Sequence, residues 1–301
     1  MTALWQPVDA DNSSTQIELR FGLGLDPFLE KRSCWNLSSG LHVEIYESGK
    51  EAPNLIFLPG MGTYVELYAE LLHHIHDSGI NVIAIDPPGH GYSAGNRGAF
   101  QVVPFCTQVS EVIDQLEKEF SGEWSIYGYS MGALCAVALA ERDDRIISVL
   151  CGTLLMTEYP PDMAHMMGWS WTSVSAFMFP TMTVPLKTFV DFEQLLGHHP
   201  AGALINSDPR IIFDYPLSTL ASLFTHRSQL TKAQYPFRLS IIQGSKDEVL
   251  SLSYAQEIKA KLVHPVNLVV LLEQGHMLPW DEPKGLAQTV LELLKGELIA
   301  S

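Results

Sequence analysis

Short apolar runs alternate with helical patterns along most of the chain, and this alternation restricts the possible folds more than any other feature. The runs NLIFL, INVIAI and EWSIYG are each followed by a stretch in which apolar residues have helical spacing. Apolar strands separated by helices are typical of βαβ units, which build a parallel sheet covered on both faces. The sequence therefore predicts an α/β fold with a mostly parallel central sheet flanked by helices.

Two parts near the start of the chain depart from this rhythm. Residues 1–32 are mixed in composition and weakly patterned, and we interpret them as an N-terminal arm. The run LHVEIYE, at residues 41–47, alternates apolar and polar side chains. Such alternation is typical of a strand with one face in solvent, so we expect an edge strand here.

A longer irregular stretch interrupts the pattern at residues 156–235, which are rich in Met, Trp, Phe and Pro. An irregular apolar insertion within an α/β sheet is typical of a cap over a ligand site. We therefore expect an inserted helical cap at 156–235 and an α/β core formed by residues 33–155 and 236–301. The apolar residues of the insertion either line a site or pack the cap itself, and the sequence leaves both readings open.

The stretch GYSMG lies between an apolar run and a helical pattern, which is the context that a nucleophilic serine requires. Glycines on both sides let the chain turn sharply, so that the hydroxyl of Ser130 projects above the sheet. The helix that begins next offers the N–H of Met131, and its dipole favours a developing negative charge. We predict that Ser130 is the nucleophile and that Met131 donates to the oxyanion.

A serine nucleophile needs a base that a third group orients, and in this type of fold an acid and then a histidine follow the serine along the chain. Asp247 comes just after the apolar run LSIIQG, and His276 just after NLVVLL. We predict that His276 is the base and that Asp247 orients it. Glu158 is the runner-up acid, and the side chain of Glu248 is expected to point elsewhere.

The loop LPGMGTY follows the NLIFL strand and is the expected source of a second oxyanion donor. Gly60 and Gly62 allow the backbone to turn and leave the N–H of Met61 free. The later loop DPPGHGYSAGNRG is expected to be structural, with His90 hydrogen-bonded to neighbouring loop backbone.

No metal site or disulfide is expected. The four cysteines are scattered and form no C-x-x-C pair. His73, His74 and His76 crowd one helix without an evident third ligand from elsewhere, and we interpret them as surface and boundary residues. His198 and His199 lie in the insertion, where a substrate contact is conceivable and nothing else supports it.

The net charge and the hydropathy pattern exclude several classes of partner. The formal charge of −16 argues against a nucleic acid or an anionic membrane surface as partner. The first residues have neither a basic nor an apolar signal region, and no run approaches the roughly 20 apolar residues of a membrane span. A cytoplasmic location is therefore the expectation.

The ordered set LPGMG, DPPGHGYS, GYSMG, GSKD and QGHMLPWDEP resembles the α/β-hydrolase superfamily over essentially residues 38–298. Within it, GHGYSAGNRGAF followed by GYSMG is similar to the monoacylglycerol lipase and lysophospholipase branch. The resemblance implies the nucleophile Ser130, the acid Asp247, the base His276 and the oxyanion donors Met61 and Met131. One departure is that Pro59-Gly60 stands where many relatives carry His-Gly.

The resemblance implies a serine hydrolase that needs no cofactor or metal. Because the nucleophile position holds Ser, it argues against haloalkane dehalogenases and epoxide hydrolases, which use Asp there. We expect a small-molecule carboxylic ester with an apolar acyl group as substrate. A thioesterase, an acyl-homoserine-lactone-degrading enzyme or an acyltransferase would use the same residues, and a non-catalytic ligand sensor is the alternative from another class.

Overall fold

The computed structural model describes residues 5–187, 191–196 and 200–296. Within them, nine strands form the main sheet and two short strands form a separate sheet. In chain order the strands are β1 (Trp5–Val8), β2 (Arg32–Leu37), β3 (His42–Tyr46), β4 (Asn54–Leu58), β5 (Asn81–Ile85), β6 (Trp124–Tyr129), β7 (Ile146–Gly152), β8 (Thr183–Pro185), β9 (Asp214–Pro216), β10 (Arg238–Gly244) and β11 (Val266–Leu271).

The main sheet has the order β1-β2-β3-β5-β4-β6-β7-β10-β11. The six strands from β5 to β11 in this order run parallel to one another, whereas each pairing among β1, β2, β3 and β5 is antiparallel. The predicted fold class, a mostly parallel sheet flanked by helices, is thereby confirmed.

Helices cover both faces of the sheet. They are α1 (Ser14–Leu23), α2 (Asp26–Leu29), α3 (Ala69–His76), α4 (Val102–Leu116), α5 (Met131–Ala140), α6 (Met163–Met178), α7 (Phe192–Leu195), α8 (Pro200–Ser207), α9 (Leu217–Thr225), α10 (Leu252–Lys261), α11 (Leu278–Asp281) and α12 (Pro283–Lys295). Helices α4 and α5 pack together, as do α3 and α12. No helix within the described ranges is both long and apolar enough to cross a bilayer.

Two apolar cores lie on opposite faces of the sheet, because successive strand residues point to opposite sides. Strand β4 shows the division: Ile56 and Leu58 belong to the core under α4 and α5, whereas Leu55 and Phe57 belong to the core under α3 and α12. Both faces of the parallel strands are therefore buried, which accounts for their continuous apolar sequences.

The expectation that LHVEIYE forms an edge strand was wrong. Strand β3 lies between β2 and β5, and all five of its residues are buried. Its polar side chains face other polar groups of the chain instead of solvent: Glu44 pairs with Arg32, and the ring of His42 contacts Asn36. An alternating pattern shows that the two faces differ in polarity, and here the polar face is covered by other parts of the chain.

The described part of the N-terminal segment adds a strand and two helices. Strand β1 pairs with β2 at the edge of the sheet, and α1 and α2 follow it. The stretch between β7 and β10 contains helices α6 to α9 and the small sheet of β8 and β9. Helix α6 packs against α9, with the ring of Trp169 stacked on Phe224 at 5.1 Å between ring centroids.

Candidate active site

The strand order reverses around β4, which places two loops side by side at the carboxyl ends of the sheet. The chain passes from β4 to β5 on one side and later returns to β6 on the other side of β4. In open α/β sheets, ligands bind in the crevice outside the strand ends at such a reversal. The loops that follow β4 and β6 carry Met61 and Ser130, respectively.

Ser130 stands at the sharp turn between β6 and α5. Its backbone has φ 53° and ψ −115°, a conformation that a residue with a side chain rarely adopts. The turn is fixed by neighbours: the Ser130 N–H donates to the Gly152 carbonyl at 2.8 Å. A Cβ added at Gly132 would overlap with the main-chain oxygen of Leu58, so only glycine allows α5 to start this close to the end of β4.

Asp247 and His276 meet in the loops after the neighbouring parallel strands β10 and β11. His276 Nδ1 lies 2.9 Å from Asp247 Oδ2, and both side chains are buried. The other carboxylate oxygen, Oδ1, accepts from the N–H groups of Val249 and Leu250 at 2.8 Å each. Because an ionised carboxylate only accepts, this contact places a proton on Nδ1 of His276, and the neutral ring then has its lone pair on Nε2.

The side chain of Tyr129, the residue before Ser130, ties the histidine loop to the serine turn. Tyr129 Oη donates to the main-chain oxygen of His276, and the two rings lie 5.6 Å apart between centroids. The hydrogen bond fixes the His276 backbone against the end of β6. The strand that ends at Ser130 and the loop that carries His276 are therefore joined by a direct contact. No hydrogen bond between Ser130 Oγ and His276 is recorded among the described residues.

In the loop after β4 the N–H groups of both glycines are paired, whereas that of Met61 is not paired within the described ranges. The Gly60 N–H donates to Tyr68 Oη at 3.0 Å, and the Gly62 N–H donates to Tyr215 Oη at 2.7 Å. Gly62 has φ 77°, in the left-handed region that favours glycine. Among the described residues, no acceptor is recorded for the N–H of Met61 or for that of Met131 at the start of α5.

His90 and Tyr215 stabilise this loop through hydrogen bonds. His90 is fully buried, with Nδ1 3.0 Å from the Pro88 oxygen and Nε2 2.7 Å from Tyr215 Oη. Burial lowers the pKa of His90 to about 4, so the ring is neutral and Nε2 accepts the Tyr215 proton. The prediction that His90 bonds to neighbouring loop backbone is confirmed.

The two alternative acids lie elsewhere. Glu158 Oε1 accepts from the Ser228 N–H at 2.5 Å, and burial raises the pKa of Glu158. Glu248 is exposed. Of the three acids considered from the sequence, only Asp247 contacts His276 in the part of the chain described.

The three histidines near residue 75 have separate partners. His73 Nε2 lies 3.2 Å from Asp77, His74 contacts Glu70 at 3.8 Å, and His76 Nδ1 lies 3.0 Å from Ser48 Oγ. They do not converge on a common point. His198 and His199 lie outside the described residues.

Three residues that position the site were not identified from the sequence. Tyr129 and Tyr215 hold the histidine loop and the β4 loop, and Gln243 Nε2 donates to Asp247 Oδ2 at 3.2 Å. Tyr129 and Gln243 lie in strands that read as core, and Tyr215 lies in the irregular stretch. A polar side chain at the end of an apolar strand was the available signal for Gln243.

Comparison with known proteins places these features in a family. The family model described as serine aminopeptidase, S33, matches residues 49–283. The mouse (Mus musculus) monoglyceride lipase is 27% identical over 207 residues, which cover 65% of this chain and 65% of that protein. The chain thus spans slightly less than two thirds of the length of this curated relative.

Solved structures share the fold. The monoacylglycerol lipase of Paleococcus ferrophilus superposes with a TM-score of 0.70 at 20% identity, covering 86% of this chain and 99% of the other. A soluble variant of monoglyceride lipase from Saccharomyces cerevisiae, in complex with a substrate analog, gives 0.69 at 14% identity, covering 87% and 94%. Since the family model spans well over half of the sequence, the chain belongs to the serine aminopeptidase S33 family of α/β hydrolases and resembles its monoacylglycerol lipases.

Proposed function

We propose that the chain is a carboxylic ester hydrolase that cleaves esters of apolar acyl groups through an acyl-enzyme on Ser130. The observation that carries the proposal is the buried Asp247–His276 hydrogen bond, which Tyr129 ties to the strained serine turn. A strained serine turn, whose strand contacts the loop of an oriented imidazole, supports the assignment of Ser130 as an activated nucleophile.

In the proposed reaction, Ser130 Oγ attacks the ester carbonyl carbon while His276 Nε2 takes the hydroxyl proton. The negative charge on the carbonyl oxygen is stabilised by the N–H groups of Met61 and Met131, which have no acceptor among the described residues. His276 then returns the proton to the departing alcohol. Water, activated by the same imidazole, releases the acid and restores Ser130.

An apolar acyl group is supported by the surface of α6. This helix contains no Asp, Glu, Lys or Arg, and the apolar residues on one side of it are exposed: Met163, Met166, Met167, Trp171, Val174, Phe177 and Met178. Contiguous exposed apolar side chains mark a surface that contacts an apolar partner. We propose that residues 156–235 form a cap that presents this surface to the acyl chain.

Turnover of p-nitrophenyl esters from acetyl to long acyl chains tests the proposal. Wild type is expected to hydrolyse the octanoyl and longer esters faster than the acetyl ester, and Ser130→Ala is expected to lose at least about 10³-fold in kcat. Ser253→Ala, which alters an exposed serine on α10, is the matched control and should retain full activity.

Equal turnover by Ser130→Ala and wild type would refute the mechanism. A preference for the acetyl ester would refute only the apolar acyl group. Assays with thioester and acyl-lactone substrates distinguish hydrolysis of oxygen esters from thioesterase and lactone-degrading activity. Product analysis in the presence of competing alcohols detects acyl transfer. Saturable ligand binding without any turnover would identify a sensor.

A further inference from the structure

A second polar cluster lies on the antiparallel side of the sheet, on strands β2 and β3. Their register places Cys34 opposite Glu44 and Asn36 opposite His42, so the four side chains share one face of the sheet. The Cys34 sulfur, a ring nitrogen of His42 and a carboxylate oxygen of Glu44 all lie within 4.8 Å of one another. The three groups are of the types that bind zinc.

Two atoms of this cluster are buried without a partner in the described structure. Glu44 Oε1 pairs with Arg32 at 2.5 Å, but Oε2 has no hydrogen bond. His42 Nδ1 lies 2.9 Å from the amide oxygen of Asn36, but Nε2 has no hydrogen bond. His42 and Glu44 are 4% and 0% exposed, and an unpartnered buried polar atom is costly.

The orientation of His42 is that of a metal ligand. Asn36 accepts from Nδ1–H, which leaves Nε2 directed at the Cys34–Glu44 side. Metal-binding histidines almost always donate their other N–H to such an acceptor, and this second contact fixes the tautomer. His42 Nε2 lies 3.6 Å from Oε1 of the Glu44 carboxylate, whose other oxygen, Oε2, is the unpartnered one.

The charges around the cluster favour a cation. Glu66 is paired with Arg20 and Arg32, and Asp86 lies buried near His42, so three carboxylates face two guanidinium groups. A divalent metal would displace the thiol proton of Cys34 and the Nε2 proton of a charged His42 ring, and both protons would pass to solvent.

Space for a metal and a further ligand exists beside these groups. A cavity of about 150 Å³ is lined by Cys34, His42 and Glu44, and residues 8–11 of the N-terminal segment form another part of its wall together with Tyr92. Cys34 is partly exposed, which gives solvent a route to the site. The cavity is large enough to admit water as a fourth ligand.

We propose that Cys34 Sγ, His42 Nε2 and Glu44 Oε2 form a binding site for zinc or a similar divalent transition metal, separate from Ser130 and held in orientation by Asn36. The residue spacing C-x₇-H-x-E is not a recognised zinc motif. The site arises from the pairing of β2 with β3, which explains why the scattered cysteines gave no sign of it.

Cobalt(II) titration of the full chain, reduced and freed of metal by chelation, tests the proposal. One equivalent of cobalt(II) should bind per chain. The complex should show visible absorption bands as intense as those of tetrahedral cobalt(II), together with a sulfur-to-cobalt charge-transfer band. Zinc should displace the bound cobalt. Cys34→Ser should lose the charge-transfer band, and Asn36→Ala should weaken zinc binding about 10- to 100-fold. Cys106→Ser and His73→Asn are the matched controls, and both should bind as wild type does.

Zinc should also slow alkylation of Cys34 in the wild-type protein, as measured by peptide mass spectrometry, which requires no variant to fold. Absence of saturable binding, a charge-transfer band that persists in Cys34→Ser, or an equal loss in His73→Asn would overturn the proposal. Ser130→Ala should bind zinc with wild-type affinity, so the result is independent of the proposed hydrolase activity.

Discussion

Asp247 accepts four hydrogen bonds, from His276, Gln243 and the N–H groups of residues 249 and 250, so its role can be tested without changing its shape. In Asp247→Asn an amide would face His276 and favour the wrong tautomer of the imidazole. We expect kcat on a nitrophenyl ester to fall about 10³- to 10⁴-fold, with unchanged circular dichroism. Glu248→Gln and Glu158→Gln should keep near-wild-type rates. An equal fall in Glu158→Gln would contradict the assignment of the acid.

The buried neutral ring of His90 makes stability depend on pH. Its pKa is lowered to about 4 by burial, whereas an unfolded histidine titrates near 6.5. The unfolded state therefore binds more protons between these values, and stability is complete above about pH 6.5 and is lost as the pH falls towards 4. The expected loss from this group is about 3 kcal/mol in the free energy of unfolding.

Urea unfolding of wild type and His90→Gln at a series of pH values measures this effect. The glutamine can still accept from Tyr215 but does not titrate, so its unfolding free energy should fall less steeply between pH 6.5 and 4. His165→Gln, which changes an exposed histidine on α6, should follow wild type. Parallel curves for wild type and His90→Gln would show that His90 is not neutral in the folded state.

At the residue scale, the sequence predicted those groups whose chemistry is visible in a local pattern. Asp247 and His276 were identifiable because each follows an apolar strand in the expected order, and the structure places them in contact. Tyr215 was not identifiable, since its contact with Gly62 joins residues far apart in the chain. Long-range hydrogen bonds of this kind leave no periodic signal.

The turn from β6 to α5 depends on close packing at one glycine. Gly132→Ala would force the new methyl group against the Leu58 carbonyl, and we expect a loss of about 3 kcal/mol or more in stability, or failure to fold. Gly168→Ala is the matched control, because Gly168 lies within α6 with no atom near the added Cβ. The Gly168→Ala variant should have a free energy of unfolding about 0.5–1 kcal/mol higher than that of wild type. Thermal and urea unfolding measure both, and equal effects would contradict the packing argument.

At the element scale, apolar runs identified the parallel strands because those strands are buried on both faces. Strand β3 was misplaced at an edge because its polar residues face a buried cluster that includes Arg32 and Glu66. Hydropathy separates polar from apolar faces, but it does not show whether a polar face meets water or other charged groups. The same ambiguity concealed the proposed metal site.

At the scale of the whole molecule, the exposed apolar face of α6 is the surface that we propose binds the acyl chain of the substrate. Phe177 and Met167 are 88% and 66% exposed, so replacing both with Gln should change stability by no more than about 0.5 kcal/mol. We expect kcat/KM for long-chain esters to fall about 3- to 10-fold relative to the acetyl ester, because apolar contact area is lost. Phe21→Gln, at an 81% exposed position on α1, is the control. An equal effect on both esters would contradict an acyl-binding role for α6.

The overall architecture was predictable because a βαβ rhythm permits few arrangements of a parallel sheet. The strand that residues 5–32 add to the sheet was not predictable. Strand β1 is short, and its pairing with β2 depends on register and not on composition.

The central claim is that Ser130 becomes acylated, and one measurement tests it directly. Wild type treated with a fluorophosphonate should gain a single adduct in the intact mass, and tandem mass spectrometry should locate it on Ser130. Ser253→Ala should be labelled as wild type is, and Ser130→Ala should remain unlabelled. An adduct on another residue, or labelling of Ser130→Ala at the wild-type rate, would contradict the account.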